Sequence, residues 1–118
     1  MGHVYQNLEV WKQSMDLCLQ AYEYIKLLPS EERFALADQM RRCAVSVPSN
    51  IAEGSGRNTN KEFIQFLYIA NGSLCELETQ LLLAHKLNYL KDIEKICAKM
   101  TSIKKQINSF ISYLKDQR

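Results

Sequence analysis

The chain has 118 residues, 47% of them hydrophobic, and a formal net charge of only +2. That length suits one domain with one core, and the near-neutral balance excludes a strongly basic nucleic-acid binder. With only four Gly and two Pro to interrupt it, the chain favours long helices over a many-turned β fold.

The first helix is expected over about 8–28. Leu8, Trp11, Met15, Cys18, Tyr22 and Ile25 recur at steps of three and four and form its inward face. Asn7 is the expected N-cap, and Pro29 stops the helix because the residue before proline disfavours the α region. Ser30 is expected to cap the second helix, about 31–56, with Glu31 and Glu32 in its first turn. Its inward stripe is Ala37, Met40, Ala44, Val47 and Ile51. Pro48 should kink it, and Gly54 and Gly56 end it.

Thr59 and Glu62 have the capping-box spacing that opens a third helix, about 60–86. Phe63, Leu67, Ala70, Leu74, Leu77, Leu81 and Ala84 face inward. The fourth helix, about 91–116, has the cleanest stripe: Ile93, Ile96, Met100, Ile103, Ile107, Phe110 and Leu114. Four long helices with short links predict an antiparallel, up-down-up-down four-helix bundle covering 1–118.

Two helices carry more apolar surface than one bundle needs. Helix 3 adds Ile64, Tyr68, Cys75 and Leu82, and helix 1 adds Val10, Leu17, Ala21, Tyr24 and Leu28. Helices apolar on two faces are buried on two sides, so the expectation is a homo-oligomer with Val10, Leu17, Tyr24, Ile64, Tyr68 and Leu82 at the interface. The alternative is a wide stripe within the chain plus scattered surface apolars.

The usual catalytic constellations are missing. A di-iron bundle needs Glu-x-x-His pairs, and the histidines here are His3, in the N-terminal tail, and His85, with Leu at position 82. Cys18, Cys43, Cys75 and Cys97 are widely spaced and read as buried thiols, not as zinc or redox ligands. Gly54-Ser55-Gly56 matches no phosphate-loop fingerprint. No cofactor, metal, small-molecule substrate or catalytic residue is expected. The sequence has no long apolar run and no signal-like start, which points to the cytoplasm and to no membrane partner.

Two polar features remain. Arg41, Arg42, Ser46, Ser49, Asn50 and Glu53 on helix 2 face Asn71, Ser73, Glu76 and Glu78 on helix 3. Antiparallel registration predicts ion pairs Arg41–Glu76 and Arg42–Glu78 within a network that fixes helix register or a subunit contact. The alternative is a ligand or RNA phosphate site. On helix 4, Lys91, Lys95 and Lys99 are four apart, and Lys104 and Lys105 extend the basic character. From Lys91 to Arg118 there are seven basic and three acidic residues. This is either a solvated surface or a phosphate-contacting stripe.

The stretch from Gln39 to Gly54, QMRRCAVSVPSNIAEG, resembles the four helix bundle protein family, also called the 23S rRNA intervening-sequence or S23 family. Asn7-Leu8-Glu9-Val10-Trp11 resembles the family's opening motif, and Gly56-Arg57, Phe63 to Ala70 and Gly72 to Leu81 its third-helix region. Tyr89-Leu90 resembles the start of its last helix, with Asn88 where Gly is common. The resemblance implies a ring-like homopentamer without enzymatic activity. It also implies kinship with the accessory variability proteins of diversity-generating retroelements, which bind a reverse transcriptase. The expected partners are therefore the chain itself and either RNA, through Arg41, Arg42, Arg57, Lys91, Lys95, Lys99, Lys104 and Lys105, or a nucleic-acid-handling protein. The alternative is a purely protein–protein scaffold.

Overall fold

The computed structural model describes residues 4–117, so His3 lies outside the described residues. Four helices follow one another: α1 (Glu9–Ile25), α2 (Leu36–Ser55), α3 (Asn60–Lys86) and α4 (Glu94–Asp116). Short 3-10 turns at Tyr5–Asn7 and Ser30–Glu32 precede α1 and α2, and no strand occurs among the described residues. The helices pack as a bundle of 49 × 24 × 20 Å. α1 packs on α2 and α4, and α3 packs on the same two. α1 and α3 therefore occupy diagonal corners.

The helix ends follow local chemistry, with three corrections to the sequence expectations. Thr59 caps α3 as expected, its Oγ1 accepting from the Glu62 N–H at 3.2 Å. Asn7 does not cap α1. It belongs to the preceding 3-10 turn, where its N–H donates to the Val4 carbonyl, and extended Leu8 takes the cap position. α1 stops at Ile25, three residues early, because Lys26, Leu27 and Leu28 tighten into short turns ahead of Pro29. Ser30, Glu31 and Glu32 form their own turn outside α2. Ala35, at φ −120° and ψ −101°, separates that turn from the helix. Glu32 still serves the start of α2, since its Oε1 accepts from the Leu36 N–H at 3.3 Å. α2 continues through buried Pro48 to Ser55.

α3 ends in a Schellman turn. Asn88 adopts φ 65°, its N–H reaches the His85 carbonyl at 3.0 Å, and the Tyr89 N–H reaches Ala84 at 2.9 Å. The link that follows leaves Lys91 and Asp92 outside α4, and Asp92 Oδ1 receives the Glu94 N–H at 3.2 Å. Tyr89 donates to Glu32 at 3.0 Å and Tyr24 to the Asp92 carbonyl at 2.9 Å. These bonds tie the α1–α2 and α3–α4 links together at one end. The α2–α3 turn needs Gly54, because a Cβ there would stand 2.7 Å from Phe63 and from Phe66.

The core contains the expected stripes of α2 and α3 in full. In α4, Ile111 is buried where Phe110 was expected, and Phe110 packs edge-on to Phe63 at 5.3 Å. α1 is rotated from its expected setting. Its core face is Val10, Ser14, Leu17, Ala21 and Ile25, while Met15 and Tyr22 are exposed. Small Ser14 and Ala21 allow the helix to approach the bundle axis. Ser14 is satisfied there by donating to the Trp11 carbonyl at 2.7 Å.

Candidate functional site

The polar residues of α2 and α3 form part of the expected network and not the rest. Ser46 and Ser73 share a hydrogen bond at 2.8 Å, and Asn50 donates to the Ser46 carbonyl at 2.8 Å and to its hydroxyl at 2.9 Å. Gln80 donates to the Cys43 sulfur at 3.4 Å. These contacts line the α2–α3 seam, and Ser49 points outward, exposed. The expected pairs Arg41–Glu76 and Arg42–Glu78 do not form. Arg42 turns back to Asp38 at 3.3 Å on its own helix, and Glu78 faces α4, where it holds Lys104 at 2.7 Å. Arg41 and Glu76 enter no ion pair among the described residues. Arg57 bonds Glu53 at 2.9 Å and lies 4.7 Å from the Phe66 ring centre, an arrangement that anchors the α2–α3 turn.

The lysines of α4 do not assemble into one stripe. Lys91 precedes the helix. Lys95 is exposed, and Lys99 turns toward α1, donating to Gln13 and lying 3.9 Å from Asp16. Lys104 sits in the opposite groove, against α3. Its hydrogen bond to Glu78 holds its ammonium above the ordinary lysine value despite partial burial. Lys105 is exposed beside a recess of about 510 Å³ that Leu8, Val10 and Phe110 help to line. Two of the five lysines are thus held against side chains of neighbouring helices.

The expected interface residues divide. Val10, Leu17 and Ile64 are buried inside the chain, so they are core residues and not contacts for another copy. Tyr24 is half-buried and bonded to the α3–α4 link. Tyr68 and Leu82 remain exposed on α3. On α1 to α3 the exposed large apolar residues not expected from the sequence are Met15, Leu19 and Tyr22 on α1, Val45 on α2, and Ile69 and Leu83 on α3, while Val4, Leu27, Phe34 and Leu87 are exposed outside the helices. Met15 and Tyr22 are expected on the inward face of α1 and stand exposed instead, and Leu19 between them belongs to neither face expected from the sequence. Among the large exposed hydrophobics, α4 contributes only Tyr113.

Two clefts of opposite character flank these residues. One, about 410 Å³, is lined by Tyr22, Arg41, Arg42, Val45 and Ser46. The other, about 340 Å³, is lined by Cys75, Glu76, Thr79 and Gln80 on α3. Burial pushes the Cys18, Cys43 and Cys97 thiols up, which keeps them protonated and weakly nucleophilic at neutral pH. No helix is long and apolar enough to cross a membrane, and no group of three or more His, Cys, Asp or Glu side chains is placed to hold a metal among the described residues.

A family model described as 23S rRNA-intervening sequence protein matches residues 6–109. The chain belongs to that family. Among solved structures, a protein of unknown function from the S23 ribosomal protein family of Bacteroides thetaiotaomicron is 28% identical. The match covers 86% of this chain and 97% of that one, with a TM-score of 0.80. No curated protein matches the chain. The matched span takes in α1 to α3 and most of α4. The intervening-sequence motif from Gln39 to Gly54 thus falls on α2. Its Ser46 and Asn50 lie at the α2–α3 seam, its terminal glycine fits under Phe63 and Phe66, and Arg41 and Arg42 reach the outer surface.

Proposed function

We propose that the protein is a non-catalytic, self-associating scaffold of the cytoplasm, an up-down-up-down bundle whose copies close into a ring of five. The observation that carries this reading is the set of large apolar side chains left uncovered on α1 and α3. Leu19 is 66% exposed, Ile69 50% and Leu83 47%. Neighbouring apolar surface of this kind on a small protein marks an association site. The helix order is supported by the tied links at one end, and by Asn60 at the start of α3 reaching Leu114 near the end of α4. The count of five comes from the family resemblance. Sedimentation equilibrium at micromolar concentration tests the reading. The expected mass is about five times that of the 13.7 kDa chain, and a monomer overturns it.

A second reading, RNA binding, is favoured by Arg41. It enters no ion pair among the described residues and shares an exposed cleft with Tyr22 and Arg42, so a phosphate and a stacked base could be held together. Anisotropy titration against structured RNA at several salt concentrations separates the readings. A steep fall of affinity with salt supports RNA contact. Absence of binding at low salt leaves a protein partner, as in the retroelement accessory proteins that the sequence resembles.

A further inference from the structure

We propose that copies of this chain join head to tail, the α1 ridge of one protomer packing on the α3 ridge of the next. The inference rests on the self-association reading and specifies which faces meet. Met15, Leu19 and Tyr22, at steps of four and three, line the side of α1 opposite its core face. Ile69, Gly72, Glu76 and Leu83, at steps of three, four and seven, line the outer side of α3. α1 and α3 stand at diagonal corners of the bundle, so the two ridges point away from each other. A two-fold contact of like with like covers one ridge and leaves the other in water. Contact between unlike ridges, repeated from copy to copy, covers both with a single kind of interface, and repetition of that kind produces rings or filaments.

Two further observations fit the same pairing. Gly72 lies exposed in the middle of a 27-residue helix, and a Cβ there would meet nothing within 4 Å. A mid-helix glycine costs roughly 0.5–1 kcal/mol relative to alanine, and nothing in its own chain requires it. A second helix seated closely on α3 supplies the reason. The charges are also complementary. The cleft beside the α1 ridge carries Arg41 and Arg42, the recess along α3 carries Glu76, and neither Arg41 nor Glu76 has an ionic partner among the described residues.

The test uses Leu19→Glu, which spoils the α1 ridge, and Leu83→Glu, which spoils the α3 ridge. Both positions are exposed, so both variants keep wild-type helicity by circular dichroism. Tyr22→Glu and Ile69→Glu repeat the test should either variant lose helicity. Each variant alone is expected to sediment as a monomer. An equimolar mixture is expected to form a dimer and go no further, because one intact α1 ridge meets one intact α3 ridge. Gly72→Leu should behave as Leu83→Glu does. A dimer formed by either variant alone, or a mixture that stays monomeric while the wild type assembles, overturns the head-to-tail contact and leaves self-association standing. A monomeric wild type overturns both.

Discussion

Lys104 and Glu78 bridge α4 to α3 at 2.7 Å, each with less than a third of its side chain exposed. The bond raises the Lys104 ammonium above its ordinary value. Its contribution to stability is therefore complete below the unfolded lysine value near ~10.4 and fades as pH rises through the folded value. Lys104→Met is expected to cost about 0.5–1 kcal/mol at neutral pH. Urea midpoints for variant and wild type should differ at pH 8 and draw together as pH rises through the folded lysine value. An unchanged gap would mean that the loss is one of packing. At this scale the sequence was partly legible. The Thr59 cap and the Pro29 stop follow from side-chain chemistry acting within one turn of the chain. The pairs Arg41–Glu76 and Arg42–Glu78 were not legible, because pairing depends on how each helix is rotated. A nearby acid on the same helix, Asp38, also competes successfully for Arg42.

Asn88 ends α3 with φ 65° and holds the two Schellman hydrogen bonds. Asparagine tolerates this left-handed setting, whereas alanine meets its Cβ–carbonyl clash at roughly 1–2 kcal/mol. Asn88→Ala should lower the unfolding free energy read from urea titration by that amount, and Asn88→Gly should hold or raise it. A loss in both variants would point instead to a role for the side chain. Helix existence and the core stripes are readable for α2, α3 and α4 because apolar residues recur along each core face at unbroken steps of three and four. α1 was misread by about a quarter turn or more. Apolar residues surround it, and its true core face is interrupted by Ser14, which hides its polarity by bonding to the Trp11 carbonyl. The start of α4 was misplaced because Lys91 and Asp92 continue the helical period before the backbone does.

At the scale of the molecule, large apolar side chains are left exposed on α1 and α3, while α4 presents a mostly polar exterior. Self-association of the kind proposed would stabilise the folded form by mass action. The melting temperature should therefore rise with protein concentration for the wild type and stay flat for Leu19→Glu, as calorimetry across a hundredfold dilution would read. A flat wild-type curve would mean that the ridges contribute nothing in solution. The surplus of apolar residues was legible in the sequence. Which of them face outward was not, since that is decided by α1's rotation and by the burial of Val10, Leu17 and Ile64.

The tight α2–α3 turn has a kinetic consequence. Its short link closes the smallest loop between neighbouring helices, and closure cost grows with loop length. Gly54 then lets Phe63 and Phe66 approach as soon as the turn forms. This hairpin is therefore the natural nucleus, with α1 and α4 added from either flank. In a full-length chain refolding from denaturant, the outer side of α3 is therefore in place before the exposed side of α1 has been set.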